Sequence, residues 1–362
     1  MPPVVTISYG DKAFQVRAKP FFRIARLAFV GLLGVGVGPS AAGQAAQAPA
    51  DKPAAATPAP KNVYSATRAR QRRQTLAQAR AAASAREMAE TVVPRYKVDA
   101  SGDLVPDLRA AAAIIFNPVT GEVLWEENSQ SQRSIASITK VMTAIVFLEN
   151  APDLTERVTI ALPDVRRAST TYLRSADKVT TGDLMHLLLI ASDNAAARAL
   201  ARVSPYGSQG FIERMNEKAA ELGLVSTRYA DPSGLLSDNL SSAYDMARLI
   251  AHASADRLIS SIMQLSSYSI QTPKRRITFR STNHLLGRPD FDVMAGKTGF
   301  ISKSGYCLAT LLRLPQSGVE VAVVVLGARS NAGRFLEVQN MFNWLSAKAS
   351  SIFAQSVAGP LE

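Results

Sequence analysis

Residues 306–326, YCLATLLRLPQSGVEVAVVVL, decide the fold. Tyr306–Leu314 and Val319–Leu326 are apolar runs of strand length. Pro315-Gln316-Ser317-Gly318 between them has the composition of a turn, so the segment predicts a β-hairpin. A similar hairpin is predicted far upstream, where Ala112–Phe116 and Glu122–Trp125 flank Asn117-Pro118-Val119-Thr120-Gly121. The chain between them has helical periodicity over Ser137–Glu149, Gly182–Ala191, Ala195–Val203, Gly210–Leu222 and Ser242–Ala253. Ser242 and Asp245 have capping-box spacing at the start of the last of these. Ala332–Lys348 reads as a closing helix. Strands at both ends of a helical middle predict an α+β fold, an α/β/α sandwich. One antiparallel sheet would be built from distant parts of the chain, with covering helices and a helical subdomain.

Further out, charge separates the chain into a leader and a body. The 362 residues carry a formal net charge of +12, yet residues 1–97 hold 15 Lys and Arg against 4 Asp and Glu. The remainder holds 26 against 25, so the packed part is nearly neutral and a nucleic-acid partner is excluded. Arg17, Lys19, Arg23 and Arg26 precede the apolar run Leu27–Val37, and small residues follow at Ser40-Ala41-Ala42-Gly43. That order predicts a signal peptide over 1–42 with a long basic n-region, and hence an exported, periplasmic protein. The run is shorter than the roughly 20 residues a membrane span needs, so no stable anchor is expected after processing. Residues 43–108 read as an Ala/Pro/Arg-rich linker. Its 66–90 stretch has high helix propensity but no apolar face, which predicts a solvated, partly helical spacer. The packed domain is predicted over 109–349, with a short tail at 350–362. Cys307, the single cysteine, reads as a small buried hydrophobe.

Three short motifs carry the chemistry. In Ser137-Ile138-Thr139-Lys140 the serine and lysine stand three apart on a predicted helix, which puts both on one face. A serine hydroxyl needs a base, and a lysine serves as one only when desolvation or a second cation lowers its pKa. Lys297 would be that cation, converging with Lys140 on Ser137. In this reading Lys140 becomes the neutral member, while Lys297 stays charged to meet a substrate carboxylate. Ser192-Asp193-Asn194 is a polar break between two apolar helices, able to aim Ser192 as a proton carrier and Asn194 as an amide donor to substrate. Lys297-Thr298-Gly299 reads as the start of a strand, with Thr298 placed to bind a carboxylate and Gly299 to let a substrate strand approach. The backbone N–H groups of Ser137 and Phe300 would form an oxyanion hole. Two decoys repeat these patterns, Ser175-Ala176-Asp177-Lys178 and Ser237-Asp238-Asn239, and both read as turn and cap chemistry. His186, His252 and His284 are far apart, no His-Glu-x-x-His or glycine-rich nucleotide loop is present, and neither metal nor cofactor is expected.

The ordered trio is a signature of penicillin-binding proteins and class A β-lactamases. With Ala136–Thr143, Asp231-Pro232-Ser233-Gly234-Leu235, Gly296–Gly299, Gly305-Tyr306 and Gly327-Ala328-Arg329, the chain from about 110 to 345 resembles the low-molecular-mass penicillin-binding proteins, the D-alanyl-D-alanine carboxypeptidase/endopeptidase family. The resemblance implies the β-lactamase/transpeptidase-like fold and an acyl-enzyme on Ser137 with Lys140 as base. It also implies a second motif at Ser192 and Asn194, substrate binding by Lys297, Thr298 and Gly299, and an arginine, Arg334, near the substrate carboxylate. The implied substrates are peptidoglycan stem peptides, and the implied covalent inhibitors are β-lactam antibiotics. Only Ser350–Glu362 follows the last predicted helix, which is more like the endopeptidase branch than carboxypeptidases with a further β-rich domain. Two rivals stand beside this reading. A class A-like β-lactamase would need a Glu-x-x-x-Asn run, for which Glu213 and Asn216 have the wrong spacing. A catalytically idle wall-binding or β-lactam-sensing protein would be expected to lack a member of the trio.

Overall fold

The computed structural model describes residues 5–9, 12–16, 63–315 and 317–357. The apolar run 27–37, the small residues at 40–43, the linker 43–61 and Gln316 of the turn lie outside them. Contacts divide the chain into two units, Met1–Asn62 and Val63–Glu362. In the first, Val5–Tyr9 and Lys12–Val16 pair antiparallel, a ribbon within the segment expected to be a basic n-region.

The second unit is organised by a five-stranded sheet: β1 (Ala112–Phe116), β2 (Val123–Glu127), β3 (Asp292–Ile301), β4 (Gly305–Arg313) and β5 (Glu320–Ala328). Its spatial order is β3-β4-β5-β1-β2 and every pairing is antiparallel. The β5–β1 ladder, with Val324 opposite Ile114, joins the two ends of the domain. Side chains alternate across the pleat. Ile114, Ala309, Leu311, Ala322, Val324 and Leu326 enter one core, while Ile115, Leu308, Leu312, Val321, Val323 and Val325 enter another on the opposite face. Both faces are covered, which is why these strands read as unbroken apolar runs. Burying each such Val, Leu or Ile contributes roughly 1.5–3 kcal/mol.

The first core is closed by α1 (Thr139–Leu148), α2 (Thr181–Leu189), α3 (Asn194–Val203) and α4 (Ala243–Ser254). The predicted cap at α4 is present, with Ser242 Oγ accepting from the Asp245 N–H at 3.0 Å. The second core is closed by α5 (Asn331–Val357), which extends past the predicted end at Lys348. The chain joins this core ahead of the 109 boundary: Val105 and Leu108 are buried in it, and the Trp344 indole N–H donates to Leu104 O at 2.8 Å. Residues 63–92 form one helix with Leu76 exposed, more regular than a partly helical spacer and, like one, without a described apolar face. A strand pair at Ser267–Gln271 and Arg276–Arg280 had not been foreseen. It precedes Thr282, which matters below.

Candidate active site

Ser137 lies in a 3₁₀ turn, Ala136–Ile138, that leads directly into α1. Two glycines fix this turn. A Cβ on Gly299 of β3 would lie 2.6 Å from Ile135 O and 3.1 Å from Ser137 N. A Cβ on Gly234, whose φ is +76°, would lie 2.0 Å from Ala136 O. Gly299 is therefore required by a close approach of the protein's own backbone, a constraint present before any substrate strand arrives. The Lys-Thr-Gly motif also sits in the second half of a ten-residue strand and not at its start.

Helix α1 is buried nearly all round, Lys140 included at 0% exposure. Its ammonium nitrogen is 3.0 Å from Ser137 Oγ, 2.6 Å from Asn194 Oδ1 and 2.6 Å from Ser233 O. The orientation of the Asn194 amide is set by its own N–H, which donates to Ala168 O at 2.6 Å. Asn194 Oδ1 and Ser233 O can only accept. When Lys140 is neutral, its lone pair can therefore be satisfied by one neighbour alone, the Ser137 hydroxyl proton. Burial pushes the Lys140 pKa down to about 7, against the Asp231 and Asp193 carboxylates, which pull it up, and with Arg198, which lowers it further. A base poised near neutrality is what proton abstraction from serine requires.

The second motif divides its labour. Ser192 has φ +59°, a backbone conformation that non-glycine residues seldom adopt, at the break between α2 and α3. Asp193 is structural: it caps α3 by accepting from Ala196 N at 2.9 Å and takes the Tyr172 N–H at 2.7 Å. Asn194 holds Lys140, so its oxygen faces the lysine rather than the amide serving substrate alone. Lys297, 1% exposed, donates to Ser192 Oγ at 2.8 Å and to Thr298 O at 2.9 Å. The expectation that both lysines converge on Ser137 is corrected by this geometry, in which each lysine takes one serine. Lys297 was expected to stay charged to meet a substrate carboxylate. Burial, then the charges of Lys140 and Arg334, hold it well below the usual lysine range.

A cleft of about 420 Å³ opens above these groups, lined by Ser137, Ser192, Asn194, Thr298, Phe300 and Arg334 among others. Arg334 is buried, with Nη1 donating to Gly299 O at 3.0 Å and to Cys307 O at 3.2 Å. It thereby ties the Gly299 end of β3 to its neighbour β4, and burial brings its pKa down to about 10. Phe300 is 49% exposed and stacks on Tyr306 at the cleft wall. Cys307 is buried, and burial raises its thiol pKa.

The decoys lie elsewhere. Ser175 and Lys178 are exposed around a turn with Ala176 at φ +67°, and Asn239 is tied to Asp231, Ala230 and Leu236 inside its own loop. Glu213 is exposed on the 207–221 helix, and Asn216 is bonded to Ile212 and Tyr229. His186 stacks on Tyr268 and His284 on Phe335. Sequence reasoning missed Ser233, whose main-chain oxygen faces Lys140. It also missed Thr282, whose hydroxyl is 2.6 Å from that of Thr298. The turn composition of Asp231–Leu235 was a usable signal for the first, whereas nothing marked the second.

The family model described as D-alanyl-D-alanine carboxypeptidase matches residues 99–330. The chain belongs to this family. It is a serine-type DD-peptidase by family, a hydrolase with the penicillin-binding fold. Among its relatives, a D-alanyl-D-alanine endopeptidase of Pseudomonas aeruginosa is 33% identical over 246 residues, 67% of this chain and 79% of the relative. One from Haemophilus influenzae is 35% identical over 227 residues, 62% and 78%. The crystal structure of the Streptomyces K15 DD-transpeptidase superposes with a TM-score of 0.61 at 27% identity, covering 66% of this chain and 97% of that one.

Proposed function

We propose that this DD-peptidase cuts D-alanyl peptide bonds of peptidoglycan, with a preference for cross-bridges, through an acyl-enzyme on Ser137. The observation that carries the reading is the placement of the Lys140 amine between two pure acceptors and one hydroxyl, so that its neutral form takes the Ser137 proton. The alkoxide then attacks the carbonyl of the D-alanyl bond. The N–H groups of Ser137 and Phe300 receive the developing oxyanion, and preorganised donors of this kind contribute on the order of a hundredfold or more in rate. Ser192, bonded to Lys297, relays a proton to the leaving amine. Lys297 and Thr298 bind the leaving residue's carboxylate, while Arg334 holds the Gly299 end of β3. A bound carboxylate would restore the charge of Lys297. Water then hydrolyses the ester.

Relatives named as endopeptidases are 31–35% identical to this chain, which covers 78–79% of their length. Those named DacF, DacC and DacD carboxypeptidases are 28–30% identical, with 61–63% covered. This supports the cross-bridge preference. Among the residues lining the cleft there is no carboxylate, which favours a slowly released β-lactam adduct over a class A β-lactamase. Export to the periplasm through the 1–42 leader follows from the same substrate.

Purified sacculi digested with the mature protein should lose cross-linked dimers and gain monomers. Release of free D-alanine alone, with dimers intact, would reject the cross-bridge preference. No product of either kind would reject the activity.

A further inference from the structure

Two successive carbonyls, Pro232 O and Ser233 O, dock the 231–239 loop on α1. They accept from Thr143 Oγ1 and Lys140 Nζ, each at 2.6 Å. The same loop packs on the turn that carries the nucleophile. Gly234 has no room for a Cβ against Ala136 O and Ser137 N, and Asn239 O accepts from Ile135 N at 3.1 Å. This one loop therefore sets where Ser137 and Lys140 stand relative to each other.

One side chain holds the loop together, and the proposed chemistry makes no use of it. Asp231 Oδ2 accepts from the Ser233 N–H at 3.0 Å, an Asx turn, and from the Ser233 hydroxyl. Its Oδ1 accepts from the Leu236 N–H at 3.1 Å and from Asn239 Nδ2 at 2.5 Å. All four partners donate. The Asn239 amide cannot be reversed, because its own oxygen takes the N–H groups of Ala230 and Asp231. Four donors leave no place for a proton on the carboxyl group, so the site is built for the ionised form. Burial works to raise the Asp231 pKa, but these hydrogen bonds outweigh it and hold it below the usual carboxylate range. Asp193, the second carboxylate acting on Lys140, goes the other way, pushed up by burial. The cations that act with Lys140 are Arg198 of α3 and Lys297 of β3. Asp231 is thus the assured negative charge acting on the base.

We propose that Asp231 is the positioning residue for the catalytic base. Its carboxylate knots the loop so that Ser233 O stays against Lys140, and its charge sets how tightly Lys140 keeps a proton. Asp231 does not line the cleft, so it acts through Lys140 and not on substrate. It has this role only if Lys140 is the base for Ser137, as proposed above. A negative charge favours the ammonium form, so removing it makes Lys140 neutral at lower pH and a weaker base.

The test is the pH profile of penicillin acylation of Ser137 at saturating ligand, followed across neutral pH, with thermal denaturation of each variant. The wild-type rate should rise through about 7. In Asp231→Asn the midpoint should fall by about one pH unit. Its plateau should fall by about tenfold, because an amide turns its NH2 on two of the four donors. Asp231→Ser is a second neutral variant in case the asparagine variant does not fold. Its hydroxyl can make the same turn, water can take the other donors, and its midpoint should fall likewise. Asp231→Glu keeps the charge but displaces the acceptors, so it should lose plateau rate and keep the midpoint. A merely structural Asp231 would lower the plateaus and leave every midpoint in place. That pattern, or a midpoint that rises in the neutral variants, overturns the proposal and leaves Lys140 standing as the base. A wild-type profile with no rise through neutrality overturns the base and the role of Asp231 together.

Discussion

Gly299→Ala tests whether the spacing between β3 and the nucleophile's turn sets the rate. The added Cβ would meet Ile135 O at 2.6 Å and Ser137 N at 3.1 Å, both main-chain atoms. An ordinary contact needs more than about 3.4 Å, so the strand and the turn must part by roughly half an ångström or more. Ile135 and Ala136 are wholly buried, Ile135 N donates to Asn239 O at 3.1 Å, and Arg334 ties Gly299 O to Cys307 O. No flexible side chain is available to give way. The displacement falls on the N–H groups of Ser137 and Phe300, whose aim is the proposed oxyanion hole. Overpacking of this kind costs about 1–3 kcal/mol of stability, and loss of one donor costs about a hundredfold in rate. Gly296→Ala is the control on the same strand. Its Cβ would meet Asn283 Nδ2 at 2.5 Å, a comparable clash, but with side-chain atoms away from Ser137. The assay is the second-order rate of labelling by a fluorescent penicillin, alongside thermal denaturation of each variant. Both variants should lose stability, and only Gly299→Ala should lose about two orders of magnitude in acylation. Wild-type acylation by a folded Gly299→Ala protein, or equal losses in the two variants, would refute the argument from spacing.

The other predictions concern the charges and the nucleophile. Ser137→Ala should abolish penicillin labelling and Ser175→Ala should leave it intact, with mass spectrometry of the adduct peptide deciding between them. Acylation at saturating ligand should rise with pH through about 7, because the neutral form of Lys140 is the active one. Lys297→Gln should move that midpoint upward, since a bound ligand carboxylate restores the Lys297 charge and the substitution then removes a cation near Lys140; a midpoint that stays or falls would contradict the proposed tuning. Lys140→Met should lose labelling yet resist denaturant better than wild type at neutral pH, with the gain shrinking toward pH 10.

Much of this was legible because apolar periodicity reports burial. The hairpins at 112–127 and 305–328 and the helices α1 to α4 all announce themselves through side chains that leave water. The Ser and Lys of the first motif were legible too, since helical spacing places them on one face. What stayed hidden is what any residue type can supply. The carbonyls of Ser233 and Ala168 orient Lys140 and Asn194, and a main-chain oxygen leaves no mark in a sequence. Gly299 was read as room for a substrate strand, and the room it makes for Ile135 was not legible, because tertiary contact decides what a glycine makes space for. The strand pair at 267–280 alternates polar and apolar residues over only five positions on each side. It went unread, and Thr282 with it.

The site also explains why so small a feature is supported by so large a double core. Lys140 has a folded pKa of about 7 and an ordinary one of 10.5 when exposed. Below pH 7 both states hold the proton, and the folded state carries the full cost of a buried ammonium. Between about pH 7 and 10.5 the unfolded chain binds the proton and the folded one does not, so stability rises with pH across that window. The difference amounts to something on the order of 4–5 kcal/mol relative to the neutral buried amine. That is a large fraction of a typical domain's net stability. Lys297, buried beside Ser192 and pushed down for the same reason, adds a burden of the same sign. Neither cost could be relieved by opening the site to water, because solvation would return Lys140 to an ordinary pKa and leave it protonated at neutral pH. The reactivity of Ser137 and the instability of its surroundings are therefore two consequences of one arrangement: an amine kept dry, with two acceptors that cannot give it a proton and one hydroxyl that can.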